Sequence, residues 1–230
     1  MKTTICVLFA TLFACVSSYA QESSLYLKAG VNLANISTTS SGRIDDANML
    51  VSFHAGIMGD IPLGKYLAIQ PGLLFTGKGA KTQTGKPGDN YYFKATSNPY
   101  YIEVPVNFVV NIPLESKTSA FFIGAGPYAA IGIAGKNKTE GNAGLVSFSS
   151  KESIKFSNDD PTTFNQQEGA GLGIMRRFDF GLNGTAGFKL NNVLLAVNYG
   201  YGLTKINSVE KNDDDKNKHR VLSVSVGFKL

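Results

Sequence analysis

Apolar residues take every second position in eight stretches of the chain, each long enough to cross a bilayer as a tilted strand of about 9 to 11 residues. In the first, Leu25, Leu27, Ala29, Val31 and Leu33 alternate with Ser24, Tyr26, Lys28, Gly30 and Asn32. In the last, Leu222, Val224, Val226, Phe228 and Leu230 alternate with Val221, Ser223, Ser225, Gly227 and Lys229. Successive strand side chains point to opposite faces, so each stretch has one apolar face and one mixed face. The apolar faces between these two are Val51, Phe53, Ala55, Ile57 and Ile61, then Leu67, Ile69, Leu73 and Phe75. Ile102, Val104, Val106, Phe108, Val110 and Ile112 make the fourth, and Phe121, Ile123, Ala125, Ala129, Ile131 and Ile133 the fifth. Phe178, Phe180, Leu182, Ala186, Phe188 and Leu190 form the sixth, and Val193, Leu195, Val197, Tyr199, Tyr201 and Leu203 the seventh.

No charge enters this register. Lys28, Asp60, Lys78, Glu103, Asp179, Lys189 and Lys229 all fall on the opposite face, with His54 beside them. A soluble ligand-binding barrel has a polar exterior and an apolar interior, and tolerates outward lysines that cost roughly 2–4 kcal/mol at a bilayer midplane. The pattern therefore predicts an all-β, eight-stranded antiparallel transmembrane up-and-down β-barrel with an apolar outside.

The connections alternate in length. Pro62-Leu63-Gly64-Lys65, Pro113 to Thr118 and Asn191-Asn192 are short, while 37–50, 79–99, 135–168 and 204–219 are long and polar. Outer-membrane barrels have short periplasmic turns and longer extracellular loops, which places both termini in the periplasm. The third long loop carries its own alternation around Val146, Phe148, Ile154 and Phe156, read as the fifth and sixth strands extending beyond the membrane as a hairpin. Pro71, Pro105 and Pro127 each remove a donor inside a strand, and bulges are expected there. Tyr66, Tyr100, Phe121, Phe178, Tyr201 and Phe228 near strand ends suit aromatic girdles, although the chain has no Trp.

Composition trims this picture at the front. Lys2, the apolar run Ile5 to Val16 and the small residues Ser18 and Ala20 read as a signal peptide over 1–20, cleaved between Ala20 and Gln21 to leave a barrel domain over 21–230. A retained membrane anchor is too short, and lipidation at Cys15 fits poorly because Phe13 stands in its motif. Both cysteines, Cys6 and Cys15, lie in this presequence, so the remainder offers no thiol or disulfide. The formal net charge of +5, one unit of it from Lys2, is spread along the chain without the clustered stripe of a nucleic-acid binder.

Several runs resemble a known family. Ile69-Gln70-Pro71-Gly72-Leu73-Leu74-Phe75, Tyr101-Ile102-Glu103-Val104-Pro105-Val106, Gly124-Ala125-Gly126-Pro127-Tyr128, Phe178-Asp179-Phe180-Gly181 and Tyr199-Gly200-Tyr201-Gly202-Leu203 are similar to the PorT-like outer-membrane β-barrel family of Bacteroidetes. The resemblance covers nearly all of 24–230 and implies that the three prolines are family features. It also implies a component of a type IX secretion machinery as one role, though no residue role carries over from motifs in the barrel wall. The ending Phe228-Lys229-Leu230 approximates the terminal aromatic signal read by barrel-assembly machinery.

Candidate chemistry is sparse. Ser52, His54 and Asp60 share the mixed face of the second strand, but Asp60 lies about 20 Å along it from His54, so another strand would have to complete a triad. Lys28, His54, Lys78, Glu103 and Asp179 are read as a structural polar cluster in a lumen too narrow for a pore, with Lys78 and Glu103 as the best ion pair. Asp213, Asp215 and Asn217 match the start of a calcium loop, yet Lys218 replaces its turn glycine and Val224 its final glutamate. Asn137-Lys138-Thr139 forms a glycosylation sequon, and the glycines at 124, 126 and 132 lack the Lys-Ser/Thr and helix of a phosphate loop.

The expectation is a cell outer-membrane protein with no catalytic residue, cofactor or metal. Its partners are outer-membrane lipid, barrel-assembly machinery during biogenesis, and an extracellular or secretion-complex protein, without nucleic acid. A loop-displaying binding protein is the leading reading, a secretion-complex subunit the second and a lipid-modifying enzyme the third.

Overall fold

The computed structural model describes residues 23–40, 43–46, 49–114, 119–144, 146–157, 174–206 and 218–230. The strands in chain order are β1 (Ser24–Ser40), β2 (Arg43–Asp46), β3 (Leu50–Pro62), β4 (Leu67–Gly77), β5 (Ala80–Thr84), β6 (Tyr91–Pro113) and β7 (Ser119–Ala143). They continue as β8 (Val146–Ser153), β9 (Lys155–Ser157), β10 (Ile174–Arg176), β11 (Phe178–Leu190), β12 (Val193–Gly202) and β13 (Lys218–Lys229).

Eight of these make the wall, in the order β6-β4-β3-β1-β13-β12-β11-β7, and β6 pairs with β7 to close the ring. Every wall pairing is antiparallel, so the fold is an up-and-down barrel. Val31 stands opposite Val224 on one side and Phe53 on the other, which keeps the apolar register continuous around the wall.

That register faces outward. Val51 is 67% exposed, Val224 61% and Phe108 56%, whereas inward Asn32 and Tyr101 are 1% exposed and Phe122 is fully buried. Thirty-odd ångströms of hydrocarbon, not another part of the chain, covers such a surface in a membrane. Short turns gather at one end, together with the start of β1 and the end of β13. Asn191 adopts φ 53° in the two-residue turn between β11 and β12, a left-handed conformation that asparagine tolerates.

The prolines behave differently from the expected bulges. The β3–β4 ladder lapses at Gly59/Pro71 and Asp60/Gln70, the β4–β6 ladder at Gly72/Pro105, and the β6–β7 ladder at Val106/Pro127. Pairing resumes beyond each gap in unchanged register, because a missing N–H opens a ladder without requiring an extra residue. The one register shift in the β6–β7 ladder lies at Tyr100/Tyr101, where the wall gives way to the protruding sheet.

Two of the long connections are more ordered than a polar loop. Residues 79–99 form β5 and the outer half of β6 across a turn at 85–90, and β7 runs on to pair with both β6 and β8. A four-stranded sheet, β5-β6-β7-β8, thus stands beyond the wall. The return strand of the third loop is β8 rather than an extension of the sixth wall strand, since β11 begins opposite Ile131. After β8 the chain turns inward at Ile154, and β9 and β10 pair in parallel at the barrel mouth.

Candidate functional site

The inward register fills the lumen in layers. Nearest the short turns, Tyr26, Met58, Ala68, Val109, Phe122, Leu194 and Ala196 form an apolar plug. Lys189 Nζ lies 2.6 Å from Asp60 Oδ2 here, and Gln70 Nε2 donates to Asp60 Oδ1 at 3.0 Å. An open vestibule of about 490 Å³ lies outside this plug, lined in part by Lys65, Asn111, Lys189 and Lys229.

Above the plug the lumen is polar. Asn32 donates from Nδ2 to Thr76 Oγ1 and to the carbonyl of Gly77, each at 3.0 Å. Its Oδ1 therefore accepts from His54 Nδ1 at 2.7 Å, so Nδ1 is the ring nitrogen that carries the donated hydrogen. Lys28 Nζ donates to Asn198 Oδ1 at 3.3 Å, and Asn198 in turn donates to Ser225 Oγ at 3.1 Å. A cavity of about 50 Å³ remains among Lys28, Asn32, His54, Asn107 and Asn198, room for water but not for a conducting path.

The next layer is charged. Lys78 Nζ lies 2.7 Å from Glu103 Oε2 and 2.8 Å from Asp179 Oδ2, and 3.9 Å from the centroid of the Tyr128 ring. Tyr128 Oη donates to Asp179 Oδ2 at 3.1 Å. Lys28 brings the buried lumen charges of this region to two positive and two negative, which is how charges become tolerable out of water. Tyr101 meets His219 at 3.2 Å between Oη and Nε2, and its ring packs edge-on against Phe156. Over this layer Ile36, Ala80, Ile154, Met175 and Ile206 close the mouth as a second apolar cluster.

All five residues of the sequence-derived polar cluster are buried in the lumen. Lys28, His54, Lys78 and Glu103 border the same cavity, and Asp179 joins through Lys78. Tyr101, Tyr128 and His219 escaped the sequence reading, because an uncharged aromatic or a strand-end histidine carries no mark beyond its inward register. The mouth residues Ile154, Met175 and Ile206 come from separate connections with no shared period.

No hydrolytic constellation is assembled from Ser52, His54 and Asp60. His54 Nδ1 is engaged by Asn32, Ser52 Oγ has no hydrogen-bond partner among the described residues, and Asp60 is held by Lys189 at the other end of the lumen. Among the described residues no group of three or more His, Cys, Asp or Glu is placed to hold a metal ion. Ala20, Gln21 and the Asp213-Asp215-Asn217 run lie outside the described residues.

Beyond the membrane-facing wall, Glu140 is shared by Lys138 at 2.6 Å and Lys94 at 2.9 Å. Hydrogen bonds from Lys138 and then Lys94 pull its carboxyl down to about 2, and the same contact raises Lys94.

An apolar exterior, a closed antiparallel wall and a filled polar lumen define a transmembrane barrel of the outer-membrane type. Residues 19–208 match the family model described as outer membrane protein beta-barrel domain, and the chain belongs to that family. Among solved structures it is similar to the attachment invasion locus protein Ail of Yersinia pestis, with 14% identity over 91% of this chain and all of that one, TM-score 0.41. Neisserial surface protein A shows 16% identity over 91% of this chain and 100% of its own, TM-score 0.40. OprG of Pseudomonas aeruginosa shows 13% over 90% and 95%, TM-score 0.38. No curated protein matches the sequence.

Proposed function

We propose that this protein is a non-enzymatic outer-membrane barrel that displays a binding surface on its long loops, with the filled barrel as anchor. In this reading residues 1–20 direct export and are removed after Ala20, barrel-assembly machinery inserts the chain, and both termini remain periplasmic. The carrying observation is the protruding β5–β8 sheet above a lumen plugged at both ends. Its face turned away from the lipid-facing register exposes Tyr91 at 80%, Val146 at 66% and Phe148 at 45%, side chains suited to a protein partner.

The test is complementation of a deletion strain with a measurable envelope or surface-export defect. Replacing residues 138–151 by a short turn should abolish rescue, and His54→Ala should preserve it, at matched expression and heat-modifiable folding. Rescue by the shortened barrel with failure of His54→Ala would favour an enzyme. A second reading, a subunit of a secretion complex, draws on the PorT-like motifs of the wall; it expects both variants to rescue, because contacts would then be made by the wall itself.

A further inference from the structure

We propose that the outward face of the β5–β8 sheet binds the phosphate groups of a phosphorylated glycolipid in the surrounding leaflet. The proposal rests on the outward placement of the long loops given above, but not on their binding a protein. Lys81, Lys94, Lys136, Lys138 and Lys151 share this face, against one carboxylate, Glu140, among the described residues. The same face continues downward into Val104, Ile131 and Ile133, which meet hydrocarbon.

Two features set these lysines apart from a merely solvated surface. Lys81, Thr96, Lys138 and Lys151 stand in one cross-strand row, with Lys138 directly opposite Lys151. Like charges directly opposite destabilise a sheet unless an anion lies over them. Glu140 is already engaged by Lys94 and Lys138, and among the described residues no carboxylate lies within ion-pair distance of Lys81, Lys136 or Lys151. The row is thus a ladder of cations with spare charge.

Height selects the ligand class. Lys138 lies five residues beyond Ile133 on β7, about 12 Å above it for a strand rising about 3.3 Å per residue and tilted about 40°. The headgroup layer of a phospholipid is only about 5–8 Å deep on each side. Phosphates carried outward on a sugar headgroup reach Lys138 and its row neighbours Lys81 and Lys151, whereas those of a simple phospholipid reach only as far as Lys136, about 8 Å up on the same measure.

The experiment uses the full barrel folded into phosphatidylcholine nanodiscs, either alone or with one addition. The additions are an acylated glucosamine disaccharide extended by a phosphorylated oligosaccharide, the same lipid without phosphates, phosphatidylglycerol, or inorganic phosphate in solution. Amine-reactive labelling read by peptide mass spectrometry reports protection of Lys81, Lys136 and Lys151, and native mass spectrometry reports retained lipid. The phosphorylated glycolipid alone should protect Lys81 and Lys151. The triple variant Lys81→Gln/Lys136→Gln/Lys151→Gln should retain it on the order of a hundredfold less well, since each cation near an anionic surface contributes a few-fold. The corresponding Arg triple should retain it. Equal protection of these two lysines by phosphatidylglycerol, by the phosphate-free lipid or by inorganic phosphate would overturn the proposal, as would unchanged retention in a Gln triple with normal heat-modifiable mobility. Nanodiscs carry the glycolipid in both leaflets, so cellular orientation does not enter; labelling of intact cells tests that separately.

Discussion

Lys78→Met removes the cation that two buried carboxylates share, and its cost follows from the geometry of the charged layer. Glu103 and Asp179 approach Lys78 Nζ to 2.7 and 2.8 Å with side chains only 10% and 4% exposed. Each contact represents about 6 kcal/mol of gross Coulomb attraction at an effective dielectric of about 20, most of it offset by desolvation. Without Lys78 the two carboxylates face each other unpaired, and the net loss should be about 3–5 kcal/mol. Methionine keeps the length and much of the volume, so the loss is electrostatic rather than a cavity effect. The triple variant Lys78→Met/Glu103→Gln/Asp179→Asn keeps the shape and removes all three charges, and should recover more than half of it. The assay is reversible urea unfolding in lipid vesicles, followed by far-ultraviolet circular dichroism and by heat-modifiable electrophoretic mobility. A loss below about 1 kcal/mol for Lys78→Met, or losses that simply add through the cycle, would show that the triad is not an energetic unit.

Other expectations are local. Val197→Lys, on the outward face and 50% exposed, should impair membrane assembly by about 2–4 kcal/mol, whereas inward Asn107→Lys, which enters a cavity also bordered by Glu103, should be milder; vesicle-folding yields compare them. Asn198→Lys should be worse than Asn107→Lys, because it sets a second cation beside Lys28. Gly132→Val would drive a side chain into the Phe156 ring and should loosen the mouth, read as faster proteolysis near 154–157 with the wall intact. Because the Glu140 carboxyl is lowered on folding, its contribution is complete above the ordinary carboxylate range and is lost as pH falls towards about 2. Hydrogen-exchange protection factors at Lys94 and Lys138, which remove the intrinsic pH dependence of exchange, should therefore hold down to about pH 4 and fall below that; a fall already near pH 6 would contradict the shared ion pair.

The wall was legible because a bilayer imposes strict alternation: Leu222 to Leu230 and Val51 to Ile57 could be assigned to a face from spacing alone. The same rule placed Lys28, His54, Lys78, Glu103 and Asp179 inside. It failed where water lies on both sides, since Lys81 to Thr84 carry no apolar residue and Tyr91 to Asn98 keep only the short alternation Tyr91, Phe93 and Ala95, and yet both pair as strands. It also failed at the mouth, where Ile154, Met175 and Ile206 are brought together by three-dimensional closure. Asp179 was legible as a lumen charge but not as a partner of Lys78, because that contact crosses the barrel between strands that are not neighbours.

The pairing of β1 with β13 through twelve residue pairs, Tyr26/Lys229 to Ser37/Lys218, bears on biogenesis. The ring can shut only after the final strand has been delivered, so until then β1 and β12 are two bare edges, each a template for aggregation. Such long-range closure is intrinsically slow. The nascent barrel must be shielded through that interval, and a truncation just before Lys218 should remove both closing seams at once and yield insoluble chains rather than a smaller barrel.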